Sequence, residues 1–312
     1  MARRTRLDGE LVRRGLARSR EQAAEAIAAG RVLVAGRPAS KPATMVDATT
    51  SIALNGGDDP GFASRGAHKL LGAFAAFGVP PLPETSSPGP AAPEGPGGPE
   101  EPEAPAAPAD PGGAARGPAL RVAGRRAMDV GASTGGFTDV LLRAGVASVV
   151  AVDVGYGQLD WRLRTDSRVR VLDRTNARHL TLETIGEPVD LVVGDLSFIS
   201  LRLVLPALAG CAAPDADLVL LVKPQFEVGR ERLGAGGVVR DVSLHAEAVQ
   251  GVARAAAQAG LGVRGVVASP LPGPAGNVEY LLWLAAGAPP LDPAALAGAI
   301  AAGPAGAGGS GR

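Results

Sequence analysis

From residue 127 onward, short apolar runs alternate with stretches whose apolar residues recur at helical spacing. The runs 127–130, 148–153, 168–172, 190–194, 217–222, 263–268 and 278–284 predict strands. The stretches near 138–145, 157–164, 179–185, 201–211 and 243–259 predict helices between them. Strands buried on both faces read as continuous apolar runs, because helices cover each side of a parallel sheet. The alternation predicts an α/β domain with a parallel sheet covered on both faces.

Residues 5–58 follow another pattern. Thr5 is placed to cap a helix with Leu7, Leu11 and Val12 on one face, ending at Gly15. Ser19 opens a second helix and Gln22 stands three residues on, a capping box. Ala23, Ala24, Ile27 and Ala28 form its expected inner stripe, and Gly30 stops it. Val32–Val34 and Ser51–Leu54 read as strands, with a turn at Ala35-Gly36.

Composition divides the rest. Residues 55–63 are rich in Gly, Asp and Pro and read as a hinge, after which Ser64-Arg65-Gly66-Ala67-His68-Lys69-Leu70-Leu71 begins a helix. Residues 82–118 are almost wholly Pro, Ala, Gly, Glu and Ser and cannot bury a core, so they are expected to be a disordered insert. The expected divisions are 1–58, 59–81 (hinge and first helix), 82–118, 119–286 and a low-complexity tail, 287–312.

The formal charge is zero, but it is unevenly spread: residues 1–41 hold ten Lys and Arg against four acids. One cysteine, Cys211, excludes a disulfide framework and cysteine-based zinc, and no metal is expected. The basic N-terminus lacks a following apolar h-region, and no apolar run reaches the ~18–20 residues of a membrane helix. A cytoplasmic monomer with no membrane partner is expected.

The candidate chemistry starts at Asp129-Val130-Gly131-Ala132-Ser133-Thr134-Gly135-Gly136-Phe137-Thr138, a strand end, a glycine-rich turn and a helix start. Glycine lets backbone approach a ligand closely. The next strand ends in Asp153, and a carboxylate there can accept both hydroxyls of a ribose. Together they suggest an adenosine-containing cofactor. The order Gly131, Gly135, Gly136 does not fit the dinucleotide fingerprint, and no Gly-Lys-Ser/Thr is present for a phosphate loop. S-adenosylmethionine has no phosphate and needs only such a turn; a tight turn without ligand is the alternative.

Ligands in parallel sheets sit beyond the carboxyl ends of the strands, here Gly131, Asp153, Asp173, Asp195 and Lys223. Lys69 near the start of its helix and Glu279 at the start of the last strand complete two lysines and two acids. A lysine held beside another cation can accept a proton or stabilise an alkoxide, and carboxylates can hold it in place. Such a set can activate a ribose 2′-hydroxyl for in-line attack on a methyl group, with much of the rate from orientation. Taken singly, Asp195 could instead cap a helix, Lys223 could be an exposed strand end and Glu279 a surface pair.

Two resemblances sharpen these readings. The stretch Arg6-Leu7-Asp8 through Gly36-Arg37-Pro38, with its Ser-Arg-x-x-Ala…Gly-x-Val-x-Val-x-Gly pattern, resembles an S4 RNA-binding domain. Arginines around a helix start and strand edge suit bidentate phosphate contacts, and Arg4, Arg6, Arg18, Arg20, Arg31, Lys41 and Arg65 are the candidate RNA contacts. Ser64–Leu70, Asp129–Thr138, Asp153–Leu159, Arg174–Arg178, Gly194–Ser200, Lys223–Glu227 and Gly237–Asp241 resemble the TlyA family, which joins an S4 domain to an FtsJ-like methyltransferase domain.

That resemblance implies a Rossmann-like S-adenosylmethionine-dependent methyltransferase sheet behind a small α+β S4-like domain. It implies 2′-O-methylation of cytidine in 16S or 23S ribosomal RNA, with ribosomal RNA or ribosomal subunits as partner. It maps the catalytic set onto Lys69, Asp195, Lys223 and Glu279, with Lys223 central. The cofactor residues are Gly131, Ala132, Ser133, Thr134, Gly135, Gly136, Phe137, Thr138, Asp153, Val154, Asp173, Asn176 and Asp195. Asp173 stands where glutamate is expected, a shorter arm toward adenine. A membrane-active haemolysin and a non-catalytic RNA-binding protein are the rival readings. The first would need an amphipathic insertion segment, and none is found. Against the second, all four catalytic positions are filled.

Overall fold

In a computed structural model of the chain, Thr5–Arg6 forms a short strand, β1, paired antiparallel with Met45–Val46 (β4 below). The structure describes residues 4–14, 16–17, 19–28, 32–35, 37–47, 50–54, 61–82, 119–273 and 275–303. It divides into two units, 1–64 and 65–312. The residues 55–60 of the expected hinge, the insert 83–118, and Arg18 and Arg31 lie outside the described residues.

In the first unit β1 leads into α1 (Leu7–Arg13) and α2 (Arg20–Ala28), then β2 (Val32–Val34), β3 (Arg37–Pro38), β4 (Met45–Val46) and β5 (Ile52–Leu54). Strands β3, β2 and β5 form an antiparallel sheet in that order. Thr5 does not cap α1: its backbone is committed to β1, and its hydroxyl donates to Glu10 Oε2 at 3.1 Å. The cap position falls to Arg6. Ser19 behaves as expected, its Oγ accepting from Gln22 N at 3.1 Å.

The buried stripe of α2 is Ala23, Ala26 and Ile27, with Ala28 exposed at the helix end. It packs with Leu7, Leu11, Val32 and Val46 into a small core. Glu10, buried, accepts from Arg13 and Arg14, whose guanidinium also reaches the carbonyls of Asp47 and Thr50. Helix and turn are thereby tied, and the arginine hydrogen bonds hold the Glu10 carboxyl down at about 2. Arg4, Arg6, Arg20 and Lys41 are exposed.

The second unit opens with α3 (Ala67–Ala76), then β6 (Arg126–Val130), α4 (Gly136–Arg143), β7 (Ser148–Val152), α5 (Trp161–Arg164), β8 (Val169–Leu172), α6 (Leu182–Ile185) and β9 (Val189–Gly194). It continues through α7 (Leu201–Cys211), β10 (Ala212–Val222), α8 (Pro224–Glu227), α9 (Val242–Gln258), β11 (Leu261–Ala268), β12 (Tyr280–Ala286) and α10 (Pro293–Ala302). One sheet runs β11-β12-β10-β9-β6-β7-β8.

The pairs among β10, β9, β6, β7 and β8 are parallel. Strand β12, between β10 and β11, is antiparallel to both, so the sheet is not wholly parallel as expected. An apolar run buried on both faces looks alike in either direction, so its composition carries no sign of the reversal. One face packs Met128, Val130, Val192, Leu220 and Leu282 against α7, α9 and α10. The opposite face carries the alternate positions, with Phe77 after α3 tilted on Trp283 at 5.3 Å between centroids. The compositional tail holds α10, whose Leu296, Ala299 and Ile300 are buried in the main core.

Candidate active site

Parallel pairing puts the carboxyl ends of β6, β7, β9 and β10 on one edge. Gly131, Asp153, Asp195 and Lys223 follow those four ends directly. Because β12 runs the other way, with Tyr280 paired to Val222, Glu279 arrives at the same edge. The first turn of α3 brings Lys69 there.

Lys69 Nζ donates to Glu279 Oε2 at 2.6 Å and lies 3.6 Å from Asp195 Oδ2. Lys223 Nζ lies 2.5 Å from Asp195 Oδ1 and donates to Ser197 Oγ at 2.7 Å. The four side chains form one chain, Glu279–Lys69–Asp195–Lys223. Glu279 is 0% exposed and Lys69 and Lys223 are buried, whereas Asp195 is half-buried and Ser197 exposed, so the network is reached from the Lys223 end. Glu279 Oε1 is buried without a hydrogen-bond partner among the described residues. Two cations alternating with two anions offset the cost of taking each from water.

Beside this network is the glycine turn. Gly131 has φ +83°, and a Cβ there would lie 2.7 Å from the Asp195 carbonyl oxygen, so only glycine lets the turn lie against β9. Gly135 has φ +98°, and a side chain there would run into Leu159 and Leu163. Asp153 accepts from the backbone of Ser133 at 2.8 Å and of Gly155 at 2.7 Å, tying the turn to the end of β7. Ser133 and Thr134 are exposed, while Ala132, Gly135, Gly136, Phe137 and Thr138 are buried.

Not every expected site residue faces outward. The Thr138 hydroxyl turns inward and donates to Asp129 Oδ2 at 2.6 Å. Asp173 pairs with Arg164 at 2.9 Å, and the Asn176 side chain accepts from Arg178 N as the cap of a short 3₁₀ turn. Val154 is 73% exposed beside Asp153, and Arg65 is exposed on the approach to α3.

Three residues with a part in this geometry escaped the sequence reading. Asp129 is wholly buried, with Oδ1 unpartnered among the described residues. Burial pushes its carboxyl up to about 7 against the Thr138 hydrogen bonds, with the Asp195 and Asp153 charges adding to the rise. Its signal was a charged residue inside an apolar strand. Ser197 holds Lys223, and only its place two residues after Asp195 hinted at that. Phe198 is 92% exposed, has φ +63°, and is tilted on Phe226 at 5.3 Å. A left-handed aromatic is a backbone outlier of the kind found at functional sites, and no sequence pattern announces it.

The FtsJ-like methyltransferase family matches residues 114–286, and the S4 domain matches residues 5–52. A relative from Mycobacterium tuberculosis described as 16S/23S rRNA (cytidine-2′-O)-methyltransferase TlyA is 56% identical over 284 residues, 91% of each chain. A relative from Brachyspira hyodysenteriae described as Hemolysin A is 30% identical over 88% of this chain and 98% of its own. Among solved structures, a protein from Streptococcus thermophilus described as a hemolysin is 34% identical, covers 96% of both chains and has a TM-score of 0.65.

Proposed function

The chain belongs to the TlyA family, an S4 domain joined to an FtsJ-like methyltransferase domain, and from that premise we propose that it methylates a ribose 2′-hydroxyl of ribosomal RNA with S-adenosylmethionine. The proposed target is a cytidine in 16S or 23S RNA, after the activity by which the M. tuberculosis relative is described. The observation that carries the reading is the continuous Glu279–Lys69–Asp195–Lys223 network at the strand ends.

S-adenosylmethionine, when bound, supplies a methyl group made electrophilic by a sulfonium. The residues present fit that cation. The Gly131 turn is a cradle that a Cβ would fill, and Asp153 and Asp195 stand just beyond the ends of β7 and β9, on either side of β6. The 131–134 turn and Asp195 would hold the amino-acid end, Asp153 the ribose and Val154 the base. The Arg164 pairing of Asp173 argues that adenine recognition falls mainly to other groups.

On the RNA side, Lys223 orients the target hydroxyl and stabilises the negative charge that develops on its oxygen. Asp195 and Ser197 fix the ammonium for that task. These residues would hold the 2′-oxygen in line with the methyl group of a bound cofactor, and the Asp195 carboxylate beside the Lys223 ammonium is the group placed to accept the hydroxyl proton. Lys69 holds Asp195 on its far side and neutralises Glu279. Phe198, exposed at the mouth, offers the target base a stacking face.

The test is transfer of labelled methyl from S-adenosylmethionine to unmodified 16S and 23S RNA. Lys223→Ala should lower the rate by about 10²-fold or more while cofactor affinity holds. A normal rate would sink the mechanism. The membrane-active reading gains nothing here, since among the described residues no helix is long and apolar enough to cross a membrane.

A further inference from the structure

Beyond the catalytic network, the cofactor side of the sheet edge carries an exposed aromatic and cationic surface that the reaction does not use. Tyr156 is 67% exposed and Trp161 73%, both on the segment between β7 and β8. The Arg174 guanidinium lies over the Tyr156 ring, 4.4 Å from its centroid. Arg174 is held there by the backbone: its N–H donates to the Gly155 carbonyl at 2.8 Å, and its φ is +54°. A non-glycine residue in the left-handed region is strained and persists where its surroundings hold it.

Neither Arg174 nor the exposed Arg178 has a carboxylate partner among the described residues. Among the described residues Arg162 pairs with Asp160 alone, at the surface. The nearby Asp173 is neutralised by Arg164. The segment is also rigidly seated. Leu159 and Leu163 are buried against Gly135, and Asp160 N donates to the Thr134 carbonyl.

We propose that Tyr156, Trp161 and Arg174, flanked by Arg162 and Arg178, form a second RNA-docking platform on the methyltransferase unit, one that stacks unpaired bases of the substrate and binds their phosphates. This rests on the RNA reading above and extends it beyond the S4 unit. Aromatic faces interleaved with cations, of which Arg174 and Arg178 have no carboxylate partner among the described residues, match single-stranded or looped RNA, whose bases stack and whose backbone is anionic. A cofactor adenine is the other aromatic ligand nearby. It is one uncharged ring with Val154 already exposed beside Asp153, and it leaves two further aromatics and the arginines without purpose.

The chain holds its own probe. It has two tryptophans, and Trp283 is buried, so Trp161 dominates any ligand-dependent fluorescence change. Unmodified 16S or 23S RNA should quench Trp161 in the full chain, and S-adenosylmethionine alone should not. Tyr156→Ala with Trp161→Phe should raise the KM for RNA about tenfold while the cofactor Kd and melting temperature hold. Quenching by S-adenosylmethionine alone, or an unchanged KM for RNA, overturns the platform. Methyl transfer by a wild-type chain whose Trp161 ignores RNA removes this inference alone. RNA quenching without any methyl transfer removes the proposed activity and leaves the platform.

Discussion

Lys69 and Glu279 meet across 210 positions of sequence, and each keeps the other's burial tolerable. Removing the lysine leaves a carboxylate with no exposure and no counter-charge. Lys69→Ala should therefore destabilise the chain by about 3–5 kcal/mol as well as abolish transfer, and urea unfolding would measure it. Glu279→Gln keeps an acceptor for Lys69 and should cost clearly less; equal losses would show that the pair does not act through charge.

Asp129 makes a prediction of opposite sign to an ordinary carboxylate. Its folded value of about 7 lies above the usual 3.8. The native state thus keeps a proton that the unfolded chain releases between those values. Stability from this group is full below about pH 4 and is lost as pH rises through about 7. Asp129→Asn should flatten the fall in melting temperature between about pH 4 and 7; an unchanged profile would place that fall elsewhere.

At the scale of elements, the glycine turn works because two neighbours crowd it. Gly131 abuts the β9–α7 connection and Gly135 abuts Leu159 and Leu163. Gly135→Ala puts a side chain at φ +98° and should cost about 1–2 kcal/mol from backbone alone, more from the clash. Calorimetry should show weakened cofactor binding in the folded variant, and unaltered binding would mean the turn does not touch the ligand. The strands themselves were legible, since every apolar run from 127 to 284 became one. Helix α10 was not, because a sequence of Ala, Leu and Gly looks featureless until β11 and α9 offer it a surface. The Thr5 cap failed for a related reason: pairing with Val46 outbid a local preference.

For the molecule as a whole, balanced charge conceals a division of labour, with 31 basic and 31 acidic residues overall but a basic first unit. RNA affinity should fall steeply with salt, because phosphate contacts release counterions, whereas cofactor affinity should barely change. A chain beginning at Arg65 should bind S-adenosylmethionine normally and lose most of its RNA affinity. Binding isotherms at two salt concentrations would test both, and RNA affinity indifferent to salt would contradict them.

The residues that can do the chemistry, and the strands that carry most of them, are local properties: runs of apolar side chains, glycines at a turn, charges after a strand. These can be read in order along the chain. The direction of β12 is a different kind of fact. It depends on which neighbours a doubly buried strand finds, and it alone brings Glu279 to the edge where Lys69 and Asp195 stand. The inward turn of Thr138 onto Asp129 and the seating of Arg174 over Tyr156 likewise follow from how one element packs on the next rather than from the local pattern. Local composition names the groups, and only long-range packing sets the distances at which they act.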